Sequence, residues 1–218
     1  MAIIKLPEPG RIVAAKPRPQ EGFPYSAVIP LPKYSRPRLS SIERVFARRR
    51  TKRTFRAISR QQLSDLFWLT LHPKRSGRLE THPLPSFGGL HVVHVLVIHP
   101  ASEPKGFCVY DRMAHALGVV ACNAKVIRMT ARKYATVLPM GKGKLLLFAA
   151  DIRRARSVYR NPESLLWREA GVILGGMALA AEALGLSFCP LGKAGDRELG
   201  QLLPESCWVA LGAAVVGR

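Results

Sequence analysis

Acidic residues are scarce in this chain: 14 Asp and Glu stand against 34 Lys and Arg over 218 residues, a formal net charge of +20. Cysteine is almost as thin, with Cys108, Cys122, Cys189 and Cys207 far apart and no CxxC pair. That spacing argues against a zinc ribbon, a redox dithiol or a secreted disulfide framework, and for reduced thiols in a cytoplasmic protein. The histidines His72, His82, His94 and His99 show no ligand spacing with a carboxylate or cysteine, so no metal site is expected. Aromatic residues make up 7% and form no RNP pattern, and neither a zinc finger nor a heptad repeat accompanies the basic charge. Nucleic-acid binding therefore ranks third among the readings below. The opening MAIIKLPEPG has no apolar core of a signal peptide. The longest apolar stretch, 171–191, is broken by Glu182 and by glycines, so a soluble protein without a membrane span is expected.

What is present is enough chain for one large domain with a sizeable core. The basic excess lies in the first three quarters and is densest at Arg48-Arg49-Arg50-Thr51-Lys52-Arg53. Residues 1–39 hold eight of the 17 prolines. Proline fixes φ and lacks a donor, so this segment reads as an extended arm rather than a packed element, with the main domain at 40–218. Ser40 to Glu43 and Ser59 to Gln62 read as capping boxes opening two short helices. Ile42, Val45 and Phe46 share a face of the first, and Leu63, Leu66, Phe67 and Thr70 a face of the second. The β-branched run 92–98, bounded by Gly89 and Pro100, reads as a strand. Residues 107–119 read as a hairpin turning through Asp111, 144–149 as a central strand, and 207–211 as a last strand. Asn161-Pro162 marks a helix start, and Gly185 its stop, for a helix apolar on nearly every face and hence buried, between subunits. The alternation lacks a βαβ repeat, which gives an α+β fold with a central mixed or antiparallel sheet flanked by helices.

Three segments could serve an anionic planar cofactor together. Arg49, Arg50, Thr51 and Arg53 offer guanidinium forks and a hydroxyl suited to phosphate oxygens. Pro85-Ser86-Phe87-Gly88-Gly89-Leu90-His91 is a small-residue turn that lets a ligand approach the backbone. Cys189-Pro190-Leu191-Gly192 is a second turn, after the long helix. Cys189 reads as a small buried hydrophobe, His91 as a backbone-satisfied histidine, and Asp111 and Tyr110 as parts of the hairpin.

In this order the segments resemble the FMN-dependent nitroreductase superfamily, and within it the SagB-type dehydrogenases that include azoline oxidases. The matches are Arg49 to Phe55, Pro85 to His91, Glu169-Ala170-Gly171 leading into Leu179 to Leu186, and Cys189 to Gly192. The resemblance implies a nitroreductase-like fold and a homodimer with FMN at the interface. It implies that Arg49, Arg50, Thr51 and Arg53 hold the phosphate, ribityl chain and pyrimidine edge. Ser86 and Gly88 would contact the isoalloxazine of the same or the partner subunit, and Pro190, Leu191 and Gly192 would lie against it with an N–H toward N5. The implied activity is hydride transfer through flavin N5, with a small-molecule or peptide-derived substrate and NAD(P)H as a donor. Tyr159 matches the tyrosine of the azoline oxidases' Lys-Tyr pair and is the candidate catalytic residue. Val158 stands at the lysine position and cannot act as a base, which counts against azoline oxidation. Lys133-Tyr134 is a second Lys-Tyr pair. The alternative is a degenerate member of the fold, a binding or scaffold subunit with little or no flavin.

Overall fold

The computed structural model describes residues 6–19, 22–76, 79–99, 106–205 and 207–218. The first five residues and positions 20–21 of the proline-rich segment, and Pro100 after the expected strand, lie outside them. In chain order the elements are β1 (Gly10–Arg11), β2 (Tyr25–Pro30), α1 (Ile42–Arg48), α2 (Arg60–Thr70), β3 (Lys74–Ser76), β4 (Leu79–Thr81), a 3₁₀ turn (Phe87–Gly89), β5 (Val93–Ile98), β6 (Gly106–Asp111), β7 (Ala116–Ala121), α3 (Ala124–Ala135), β8 (Lys144–Asp151), α4 (Ile152–Arg156), β9 (Tyr159–Arg160), α5 (Glu163–Ala183), β10 (Ser187–Leu191), α6 (Asp196–Leu202) and β11 (Trp208–Gly217).

Seven strands form one sheet in the order β10-β11-β8-β5-β6-β7-β2, and every pairing in it is antiparallel. The β-branched run becomes β5, its middle strand, and is buried on both faces. Because side chains alternate along a strand, Val93, Val95 and Val97 face one core, with Leu63, Leu66 and Phe67 of α2 and Ile173 and Met177 of α5. Leu96 and Ile98 face the other, with Ile127 and Tyr134 of α3 and Leu199 of α6. This is the α+β architecture the motifs implied, a central antiparallel sheet flanked by helices.

Local chemistry explains the helix ends. Ser59 and Gln62 form the expected reciprocal capping box on α2: Gln62 N–H donates to Ser59 Oγ at 3.1 Å, and Ser59 N–H to Gln62 Oε1 at 3.0 Å. The first helix is capped one residue later than expected, by Ser41, whose Oγ accepts from Arg44 N–H at 3.5 Å. Only Val45 of its apolar face is buried, while Ile42 and Phe46 are more than 60% exposed. The long helix is capped at Pro162, not Asn161, which sits at φ 50° just before it.

Two further expectations are corrected. The proline-rich segment does pack: residues 25–30 add the edge strand β2 to β7, with Phe23 and Leu31 buried on either side. Proline tolerates this place because an edge strand needs hydrogen bonds on one side only. The last strand runs to Gly217, since residues 213–216 are all apolar and buried, alternating between the two cores while paired with β8 and β10. Helix α5 is long and apolar enough to cross a membrane, yet it packs against the sheet through a stripe of Leu166, Glu169, Ala170, Ile173, Met177 and Ala181. Its opposite face, with Trp167, Gly171, Val172 and Gly175, is exposed on the single chain.

Candidate functional site

The candidate residues gather at two ends of α5. Near its start, the small-residue turn is closed by a buried carboxylate. Ser86 Oγ donates a short hydrogen bond to Glu169 Oε2, Val93 N–H donates to Glu169 Oε1 at 3.1 Å, and His91 N–H donates to Ser86 Oγ at 2.8 Å. Gly88 has φ 57°, and a Cβ there would stand 2.6 Å from the Tyr159 hydroxyl. A side chain is therefore excluded twice, by backbone conformation and by space. Tyr159 also meets Phe87 edge-on at 5.6 Å. Burial pushes the Glu169 carboxyl above its usual range, against the hydrogen bonds from Ser86 and Val93 and the charge of Arg112. Nothing in the helix pattern assigned Glu169 this work, although a lone carboxylate on the core face of an apolar helix is itself a signal of a buried partner.

Near the other end lie the basic residues. Lys52 Nζ is 3.0 Å from Glu182 Oε2, and the positive charge of Arg53 lies near the Cys189 thiol. Arg50 Nη1 donates to the carbonyls of Ala47 and Arg49, at 3.1 and 2.9 Å. Arg49 is half-buried, Arg50, Thr51 and Arg53 are exposed, and none of these three arginines has a carboxylate partner among the described residues. Arg56 exchanges backbone hydrogen bonds with Arg218, which brings the end of β11 beside this segment. Cys189 and Pro190 turn out to be strand residues of β10, with Pro190 opposite Ala214 at the sheet edge. Pro190 is exposed, Leu191 is half-buried, and no neighbouring atom fills the space a Cβ would take at Gly192. Burial raises the Cys189 thiol, which keeps it protonated.

Beneath this end, Glu198 of α6 is paired with Lys193 at 3.0 Å and Lys133 at 3.4 Å, and Lys193 lies 4.8 Å above the Tyr134 ring. The Lys133-Tyr134 pair thus supports the segment after Gly192 from the core, with the Tyr134 ring fully buried. Val158, at the position of the expected lysine, is buried in the apolar core.

Glu169 and Glu182 are 13 residues apart in sequence, about 20 Å along the helix at 1.5 Å per residue. Within one chain, the segment that holds Arg49, Arg50, Thr51 and Arg53 is brought to the end of α5 and to β10 through Lys52 and Arg53, whereas Ser86, Gly88 and Tyr159 are held at the far end. Among the described residues no group of three or more His, Cys, Asp or Glu is placed to hold a metal.

Fold and site together define an α+β protein with an open, anion-directed segment beside an exposed strand edge. The nitroreductase family model matches residues 46–218, and the chain belongs to the nitroreductase family, whose members are oxidoreductases and typically FMN-dependent. Among solved structures it is similar to a nitroreductase-like protein from Ralstonia eutropha, with 24% identity, a TM-score of 0.71, and 97% of this chain and 98% of that one covered. It is also similar to a chain of an Escherichia coli microcin synthetase complex with a truncated pro-microcin bound, at 18% identity and a TM-score of 0.62, covering 86% and 76%. A third, from Desulfovibrio desulfuricans and solved in complex with FMN, has 17% identity, a TM-score of 0.53 and coverages of 82% and 86%. At these identities the likeness is one of fold. No curated protein matches the sequence.

Proposed function

We propose that the protein is an FMN-dependent oxidoreductase of the SagB-type kind, working as a cytoplasmic homodimer. The observation that carries this is the set of arginines Arg49, Arg50 and Arg53, without carboxylate partners, beside the open backbone at Gly192. Such donors fit a phosphate, and an uncrowded backbone fits a flat ring. Arg49, Arg50, Arg53 and Thr51 would hold the phosphate, ribityl chain and pyrimidine edge, and Pro190, Leu191 and Gly192 would lie against the ring. When bound, FMN supplies hydride chemistry at N5.

The second copy explains the separation of the two groups. The exposed apolar residues of α5 and α1, including Trp167, Val172, Ile42 and Phe46, form a face that water disfavours. Two such helices packed antiparallel bring the start of each to the end of the other. Ser86 and Gly88 of one protomer then approach the arginines of its partner. Tyr159, held beside Gly88, is placed to hold a proton at its Oη, while the buried Val158 is not. The fitting reaction is accordingly a flavin dehydrogenation or reduction, with NAD(P)H as donor and a small-molecule or peptide-derived substrate, and not one that needs the Lys-Tyr pair. Four unbonded cysteines suit a reducing compartment.

The visible spectrum of the purified protein, with and without added FMN, tests this. A bound-flavin band is expected. Replacing Arg49 and Arg53 together by alanine removes two charge-assisted contacts and should weaken FMN binding by roughly a hundredfold or more. A colourless protein that ignores added FMN would overturn the reading and leave a binding subunit in its place.

A further inference from the structure

Behind the small-residue turn is a cavity of about 280 Å³ that the flavin reading does not use. It opens at the end of the sheet where β5 begins and β6 ends, beside the row Val93, Ala150 and Val209. The basic segment borders the opposite end, where Arg56 meets Arg218. Arg112 and Arg154 line the cavity, with His91, His94, Phe23 and Tyr25 among its other walls.

Both guanidinia are anchored with donors to spare. Arg112 Nη2 donates to the Val93 carbonyl at 2.6 Å, while its Nε and Nη1 have no protein partner among the described residues. Arg154 Nε donates to the Leu90 carbonyl at 3.4 Å and Nη1 to the Arg18 carbonyl, which leaves Nη2. Among the described residues neither arginine is in a salt bridge. Arg112 is desolvated, which makes its unpaired donors costly, while Arg154 is half-buried beside it, and an anion in the cavity would offset that cost. Burial, followed by nearby positive charge, depresses His91 to about 4 and His94 to about 3, so both rings are neutral at pH 7. Arg112 and Arg154 act on both histidines, which places the two positive charges around the same space. Among the described residues the acids lining the cavity are Glu80 and Asp111, so two positive charges there face two negative ones, of which Glu80 also bonds His82. An incoming dianion would be undercompensated there, whereas a monoanion is matched more closely. The volume is too small for a dinucleotide, and Phe23, Tyr25 and the His82–His91 stack, with ring centroids 3.5 Å apart, offer flat apolar surface.

We propose that this cavity binds a small carboxylate monoanion with a flat body, its carboxylate held by Arg112 and Arg154. The site stands independently of the flavin reading, because none of its charged residues belongs to the Arg49–Arg53 segment.

Calorimetric titration of the purified protein with benzoate tests it, with acetate and inorganic phosphate as the other arms. The same titrations on the Arg53→Ala protein exclude benzoate stacked on flavin. Saturable binding of one benzoate per chain is expected in both proteins, with acetate and phosphate weaker. Arg154→Gln should weaken it by roughly tenfold or more, as loss of a charge-assisted hydrogen bond implies. Arg112→Lys, which keeps the charge but loses the fork, should weaken it as well, and thermal melts identify any variant that has failed to fold. No saturable benzoate binding, binding confined to flavin-loaded protein, or binding unmoved in the folded Arg154→Gln protein would each overturn the proposal. Phosphate binding more tightly than benzoate would overturn the monoanion assignment.

Discussion

The two ends of α5 carry the same residue type on one helix and use it in opposite ways. Glu169, near the start, is buried and accepts hydrogen bonds from Val93 and Ser86, so it fixes the shape of the 85–91 turn. Glu182, near the end, makes one partly exposed ion pair with Lys52 and leaves the neighbouring arginines without acidic partners. At the first end the carboxylate is satisfied within the turn, with the spare donors of Arg112 and Arg154 set behind it, and at the second the donors face outward. A protein presents a ligand site where its polar groups remain unsatisfied, and a rigid support where they are all engaged.

Removing each carboxylate breaks the comparison most directly. Glu169→Ala strands two donors in the core and should cost about 2–4 kcal/mol, read by urea denaturation. Glu182→Ala, at a partly exposed pair, should cost less than about 1 kcal/mol. Equal losses would show that the first end is no more rigidly held than the second. Next in size is Gly88→Ala, expected to cost about 1–3 kcal/mol from the left-handed backbone and the contact with Tyr159. Adding Tyr159→Phe removes the hydroxyl nearest the new methyl and should return part of that loss. A double variant no more stable than the single one would place the whole penalty in the backbone.

The dependence on pH at the Glu169 end is read as a slope rather than as a single loss. His91 and His94 have folded pKa values of about 4 and about 3, below the ordinary 6.5. As pH falls below 6.5, the unfolded chain binds protons that the folded chain refuses, so stability is lost progressively toward pH 4. Glu169 acts in the opposite direction, since burial raises its carboxyl and acid relieves the penalty. Replacing His94 by Gln should flatten the net slope of unfolding free energy against pH, and an unchanged slope would show that this ring is not the group responsible.

Much of the architecture was legible in the pattern of residues. The β-branched run gave the middle strand, Ser59 and Gln62 the start of α2, and Asp111 the hairpin turn, where its Oδ1 accepts from Met113 and Ala114 N–H at 2.9 and 3.0 Å. These are local signals, in which side-chain chemistry decides the nearest backbone. The edge strand at 25–30 was missed because its prolines argue against pairing, and only the free edge of β7 decides that they can be accommodated. The apolar character of α5 was visible, but not which half of its surface the sheet would take.

The candidate site divides in the same way. Arg49, Arg50, Thr51 and Arg53 and the open position at Gly192 could be picked out from residue type alone, because guanidinium and glycine carry their chemistry wherever they stand. Their nearness to one another, through Arg53 and Cys189, and their distance from Ser86 and Gly88, were set by the length of α5. Arg112 and Arg154 gave no signal in the sequence, since they lie 42 positions apart among many other basic residues. The middle strand, the start of α2, the small-residue turn and the basic segment could be read from the residues alone, because each depends on neighbours along the chain. Only the tertiary structure decided which carboxylate is buried, which arginines keep unpaired donors and which apolar face stays exposed, because desolvation depends on what the folded chain brings alongside.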